Sequence, residues 1–305
     1  MSRFRTEEPV LVSLRETPSP RGGAQILVAE GRHPARQRNA AMGKARGEIL
    51  VFLDNDCSIG AGFWKELERA MAPPDVEIVG GPALLRPYAT AWEEIFDALL
   101  THMLIVGTVS SRYASRGDFR VATQTDLILC NLAVRRSIFE KIGPLSTDLY
   151  PNEENEWLDR AHAAGVGAFY DPSLQVFRPQ RTGPWQMVVT LLRYGVGRTR
   201  QFRVSGWRPT FHQILPAMLI GTFVALVHWR LEAAFVSLWL VASAVVALTC
   251  NSLLLIWKRI VAGLIALLIP LTYAVGQVIG WIALLWPTRV STSEIVLLNE
   301  RGERI

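Results

Sequence analysis

The C-terminal third of the chain constrains its fold more than any other feature. Between Gln213 and Trp286 the only acidic residue is Glu232, and apolar residues run on with few cations to break them. A helix needs about 20 consecutive apolar residues to cross the hydrocarbon core of a bilayer. Leu231–Trp257 and Ile260–Trp286 reach that length, and Gln213–Trp229 is a shorter third run with an uncharged core at Leu215–Val227. Three spans are expected. The competing reading is a pair of long core helices in a soluble domain, but two uncharged runs in succession rarely occur there. A mean hydropathy of +0.22, with 50% hydrophobic and 19% charged residues, excludes a disordered chain.

Charge supports the membrane reading. Seven arginines (178, 181, 193, 198, 200, 203 and 208) stand before the first run, with no acidic residue among them. That pattern satisfies the positive-inside rule and attracts anionic headgroups, so membrane lipids are expected partners. The same cluster would suit a nucleic acid, but the adjacent spans favour lipid, and no nucleic-acid partner is expected. Met1–Glu8 carries charges and no apolar signal core. The expectation is a multi-pass protein of the cytoplasmic (inner) membrane whose globular part faces the cytoplasm. Cys57, Cys130 and Cys250 are scattered, without zinc spacing, which fits a reducing compartment better than a disulfide framework.

Residues 1–208 read as globular. Val10–Leu14, Gln25–Ala29, Glu48–Leu53, Glu77–Gly81, Asp126–Val134, Gly167–Tyr170 and Leu174–Phe177 have strand character. Gln37–Ala45, Ala61–Met71, Arg136–Ile142 and Glu153–Ala164 have helical character, and Pro184–Arg193 is amphipathic. Ala89–Ser111 is apolar enough to touch a membrane or line a groove. Strand and helix alternating in this way predict a layered α/β sheet. The expected domains are 1–208, with 183–208 as an interfacial basic segment, then a transmembrane helical domain over 209–290 and a polar tail over 291–305.

Three clusters carry chemistry. Asp54-Asn55-Asp56 follows a buried strand, where α/β sheets bind ligands. Its carboxylates suit a divalent cation that would neutralise a diphosphate, or form a solvated turn. Asn152-Glu153-Glu154-Asn155-Glu156 opens a helix, where acids stabilise the N-terminus and where one of them could serve as a general base. Tyr194-Gly195-Val196-Gly197-Arg198 reads either as a glycine turn gripping phosphate or as a basic linker beside the membrane.

The order of these pieces resembles a known family. Arg38-Asn39-Ala40-Ala41, then Ala45-Arg46-Gly47-Glu48-Ile49-Leu50-Val51-Phe52-Leu53-Asp54-Asn55-Asp56, is similar to the signature of family 2 glycosyltransferases. Cys130-Asn131-Leu132-Ala133-Val134-Arg135-Arg136 with Phe139–Gly143 resembles their acceptor-side segment. Asn152–Glu156, Arg160, Ala164-Gly165 and Tyr170-Asp171-Pro172 resemble the block that holds their catalytic base. The tail around Tyr273–Gly276 is similar to the succinoglycan-type branch.

The resemblance implies a GT-A fold, Rossmann-like, with an abbreviated N-terminus and followed by transmembrane helices. It implies inverting transfer of a sugar from a nucleotide-diphosphate donor to a lipid-linked or polysaccharide acceptor, with Mg2+ or Mn2+. Carried over by position, Glu154 is the base with Glu153 beside it. Asp56 and Asp54 serve the metal, and Asp54, Glu30, Asn39, Asn131 and Arg198 serve the substrates. Two departures accompany it. Only Arg15–Gly23 separates Val10–Leu14 from the next strand, and glutamate stands at 154 where the family carries aspartate. The alternative reading is a catalytically impaired relative that binds or assembles polysaccharide machinery.

Overall fold

The computed structural model describes residues 9–14, 25–31, 33–205, 232–250, 254–266, 268–284, 295–299 and 304, with scattered positions between 218 and 228. The expected first span, Gln213–Trp229, lies largely outside the described residues. In chain order the elements are β1 (Pro9–Leu14), β2 (Gln25–Glu30), α1 (Pro34–Lys44), β3 (Ile49–Asp54), β4 (Ser58–Ile59), α2 (Phe63–Met71), β5 (Ile78–Gly80) and β6 (Ala83–Leu85). Then come α3 (Ala91–Leu100), α4 (Met103–Val106), a 3-10 turn (Gly107–Arg112), β7 (Arg120–Val121), β8 (Asn131–Arg135), α5 (Arg136–Ile142), α6 (Glu153–Ala163), β9 (Ala168–Tyr170), β10 (Val176–Arg178) and α7 (Pro184–Ser205). The helices Glu232–Thr249, Ile256–Ile265 and Leu268–Ala283 precede β11 (Val296–Asn299).

These elements form two compact units. One comprises Met1–Arg86, Ser111–Arg178 and Val290–Ile305, the other Pro87–Ser110 and Pro179–Arg289. The first boundary falls after Arg178 rather than after 208, so Pro179–Ser205 leaves the first unit, while the second falls after Arg289, within a residue of the expected place. Ala89–Ser110 joins the helical unit. The expected polar tail over 291–305 instead supplies β11, whose Val296–Asn299 pairs antiparallel with β2.

Among the described residues, the first unit is built on an eight-stranded sheet of order β11-β2-β1-β3-β8-β5-β9-β7, beside a small sheet of order β4-β10-β6. The large sheet is mixed. β1 lies between β2 and β3 and runs antiparallel to both. The short connection after Leu14 explains the pairing with β2, because a parallel return needs a crossover of roughly a dozen residues or more. β1 therefore takes a central place in the opposite direction. β3 is buried almost throughout, as a strand covered on both faces must be. Leu50 and Phe52 face a core with Ala41 of α1 and Trp157, Leu158 and Ala161 of α6. Ile49 and Val51 face the other core, with Phe63, Leu67, Ala70 and Met71 of α2. Of the expected strand Asp126–Val134, the strand itself begins only at Asn131, and the residues before it form turns.

In the helical unit α3 opens with a capping box. Thr90 accepts from the Glu93 N–H, and the Glu93 carboxylate accepts from the Thr90 N–H. The stretch Tyr194–Arg198 is not a turn: it lies inside the continuous helix α7. Gly195 has a different use. A Cβ on Gly195 would overlap the Tyr273 carbonyl, and one on Gly276 would overlap the Leu192 carbonyl. A Cβ on Gly280 would come within 2.8 Å of Thr199 Cβ. The missing side chains let α7 and Leu268–Ala283 approach backbone to backbone, as small residues do in membrane helices.

Ile256–Ala283, 28 residues, is the one helical run among the described residues long and apolar enough to cross a membrane. At 1.5 Å per residue it extends about 42 Å, against a hydrocarbon core of about 30 Å. The expected span Leu231–Trp257 is not one helix. It divides between Glu232–Thr249 and the start of the next helix at Ile256, and its apolar portion, Val236–Thr249, is too short to span. Arg259 then donates to the carbonyls of Ala247 (2.8 Å) and Leu248 (2.7 Å), closing the end of the preceding helix. The pair Ala91–Leu100 and Met103–Arg112 is apolar enough to pass the same test together but bends by 64°.

Candidate active site

The site forms where β3 ends and α6 begins. β3 carries Asp54 out of the buried sheet, and the chain turns at once, the Cys57 N–H bonding back to the Asp54 carbonyl at 3.0 Å. α6 presents Glu153, Glu154 and Glu156 in its first turn, where the helix dipole favours negative charge. The two acidic clusters lie far apart in sequence, and one guanidinium joins them. Arg38, on α1, donates to Asp54 Oδ1 at 3.2 Å and to Glu153 Oε1 at 3.1 Å. All three residues are buried. Burial opposes the Arg38 charge, but Asp54 and Glu153 outweigh it and raise its pKa.

Arg178, at the end of β10, reaches the same carboxylates from another strand. Its guanidinium stands 3.3 Å from Asp54 Oδ2 and 3.8 Å from Asp56 Oδ2. It also donates to Cys130 Sγ at 3.3 Å. Both oxygens of Asp54 are thus engaged, one by each arginine, whereas Asp56 stands farther from Arg178 and is more exposed. Arg112 fixes the start of α6. It donates to Asn155 Oδ1 at 2.6 Å, to the Thr125 carbonyl at 3.1 Å and to the Gln124 carbonyl, and it lies 3.9 Å from Glu154 Oε1. Arg160 takes Glu156 at 2.7 Å, which removes the third glutamate from the cluster.

The neighbouring glutamates therefore differ. Glu153 is 2% exposed, and its Oε2 is buried without a hydrogen-bond partner among the described residues. Burial first, and the Glu154 charge next, push its pKa up to about 7. Glu154 is only partly buried, with 15% of its side chain exposed, and its one ion pair is long. It is the glutamate that an incoming group can reach.

No group of three His, Cys, Asp or Glu among the described residues could enclose a metal ion. That absence of a protein cage is compatible with Mg2+ or Mn2+, which are commonly held by one or two carboxylates together with substrate phosphates. Asp56 fits that arrangement. Asp54 fits it only if an arginine lets go.

The other residues expected at the site fall elsewhere or are committed. Asn39 exchanges two hydrogen bonds with Leu145, donating to its carbonyl at 2.8 Å and accepting from its N–H at 3.0 Å. Asn131 is buried and donates to the carbonyls of Pro82 (3.0 Å) and Leu174 (2.6 Å). Glu30 ends β2 opposite Val296, and no ion pair or hydrogen bond among the described residues ties it to the cluster. Arg198 belongs to the helical unit, donating to Gln201 Oε1 at 2.7 Å and to Tyr273 at 3.4 Å. Three arginines were missed. Arg38 stood beside Asn39 in the family signature, and Arg178 was counted with the basic segment before the membrane. Arg112 had no local signal.

Comparison with known proteins gives three findings. The chain is 27% identical over 129 residues to glycosyltransferase AglE of Haloferax volcanii, covering 42% of this chain and 38% of that protein. It thus spans well under half the length of that relative. A solved mannosyltransferase, PcManGT from Pyrobaculum calidifontis in complex with GDP-Man and Mn2+, superposes with a TM-score of 0.44 at 19% identity, over 85% of this chain and 68% of that one. Residues 15–143, the stretch that supplies Arg38, Asp54, Asp56 and Arg112, match the family model described as glycosyl transferase family 2.

Proposed function

We propose that the chain is a membrane-anchored inverting glycosyltransferase that moves a sugar from a nucleotide-diphosphate donor to an acceptor hydroxyl. The observation that carries this reading is the Arg38 bridge, which draws the strand-end Asp54 and the helix-start Glu153 into one charged cluster with Asp56 and Glu154. The match of residues 15–143 to glycosyl transferase family 2 supports it.

In this mechanism Glu154 accepts the proton of the acceptor hydroxyl, and the oxygen attacks the anomeric carbon opposite the diphosphate. A single displacement inverts the configuration. Arg112 holds the first turn of α6, so that Glu154 meets the hydroxyl in a fixed position. Arg38 and Arg178 surround the diphosphate end with donors that stabilise the charge it gains on leaving. Asp56 would hold Mg2+ or Mn2+ together with diphosphate oxygens, and the ion would neutralise the leaving group. The apolar helix Ile256–Ala283 and the arginines of α7 favour an acceptor that is lipid-linked or assembled at the membrane, with the catalytic unit on the cytoplasmic side.

Calorimetry on the full chain with UDP- and GDP-sugars and Mn2+ tests the donor half of this proposal. The wild type is expected to bind at least one donor, with loss of roughly tenfold or more in affinity on Asp56→Ala. No binding of any donor would overturn it.

A further inference from the structure

In the free protein the acids of the site stand against arginines. Asp54 stands against Arg38 and Arg178, Asp56 against Arg178, Glu153 against Arg38 and Glu154 against Arg112. Buried charges are tolerated when paired, and an uncompensated one is costly. A dication arriving alone would unbalance this cluster, and so would a diphosphate arriving alone. The two together would not. Arg178 is the group placed to make this exchange. It alone among the described residues touches both carboxylates of the Asp54-Asn55-Asp56 turn, at 3.3 and 3.8 Å, from a side chain that is 14% exposed. Its contacts to Asp56 and Asp54 are both longer than a good charge-assisted hydrogen bond. The guanidinium is permanently charged, and its planar fork matches a phosphate as well as a carboxylate.

We propose that Arg178 is a placeholder cation, occupying Asp54 and Asp56 in the free protein and yielding them to a divalent ion only when a nucleoside diphosphate arrives to take its guanidinium. The inference rests on the donor-binding reading above and adds to it a rule of entry: metal and nucleotide bind together, each raising the affinity of the other by the same factor.

Manganese binding to the full chain, followed by the loss of the free-ion electron paramagnetic resonance signal, tests this without any turnover. For the wild type, Mn2+ affinity is expected to rise roughly tenfold or more when GDP or UDP is present. Arg178→Gln removes the competing cation, so it should bind Mn2+ alone roughly tenfold more tightly than the wild type and gain less from the nucleotide. Arg178→Lys keeps the charge and should bind Mn2+ alone as weakly as the wild type. The proposal is overturned if Arg178→Gln binds Mn2+ alone no more tightly than the wild type. It is equally overturned if the wild type binds nucleotide yet shows one Mn2+ affinity with and without it. If Arg178→Gln fails to fold, the wild-type comparison and Arg178→Lys decide. If no nucleotide binds at all, the donor-binding reading fails, while Mn2+ alone on wild type and Arg178→Gln still scores the role of Arg178.

Discussion

Glu153 and Glu154 are adjacent in sequence and separate in chemistry. Glu153 is sealed against Arg38 and raised from the ordinary 4.5 to about 7, first by burial and then by Glu154. A folded chain that holds this proton over a window where the unfolded chain has released it loses stability as pH rises. The apparent unfolding midpoint of the wild type should therefore fall between about pH 4.5 and 7 by more than that of Glu153→Gln, which has nothing to titrate there. Equal slopes in thermal melts across that range would refute the assignment. The acids themselves were readable from sequence, since three glutamates opening a helix stand out. Their partners were not, because Arg38 meets Glu153 across 115 residues. No local pattern reports a contact that only the tertiary fold creates.

Among the elements, α1 carries two neighbours from the stretch that resembles the family signature, and their contacts differ. Arg38 enters the cluster, while the adjacent Asn39 clamps the backbone of Leu145. Asn39→Ala should lower stability by about 1–3 kcal/mol, the cost of leaving partly buried partners unpaired, with donor affinity unchanged in calorimetry. A large loss of donor affinity at unchanged stability would restore Asn39 to the binding site. The strands and helices of the first unit were legible because α2 buries one face at helical spacing and β3 is a short continuous apolar run covered on both faces. The direction of β1 followed from the shortness of its connection, a constraint that was visible, although its consequence was not drawn at the sequence level. α7 was misread at Tyr194–Arg198, since glycine serves a turn and a close helix crossing equally well. The signal that separates the two lies in the partner, where Gly276 and Gly280 repeat at the spacing of one helical turn. Gly276→Leu should destabilise the helical unit by roughly 2–3 kcal/mol or more, because the Leu192 backbone cannot withdraw as a side chain would. A variant with an unaltered melting midpoint in detergent would show that the two helices do not meet there.

At the scale of the whole molecule, the chain departs from its expected domains at three stretches, one of them Pro179–Ser205, which joins the helical unit. Ala89–Ser110 leaves the α/β unit for the helices, and β11 returns to the sheet after them. Composition marks which stretches are apolar, but it does not say which unit a stretch joins. The helix Ile256–Ala283 predicts that the protein stays in the membrane pellet after alkaline carbonate extraction, and release into the supernatant would argue against an anchor. The central claim concerns the chemistry: Asp56 and Glu154 act in one cleft on one donor. Its most direct test is nucleoside diphosphate release by the purified full chain, supplied with UDP- and GDP-sugars, Mn2+ and a membrane extract as acceptor source. We predict acceptor-dependent release by the wild type that drops by roughly 100-fold to 10,000-fold in Glu154→Gln, while donor binding is kept. Release by Glu154→Gln at the wild-type rate would contradict the account.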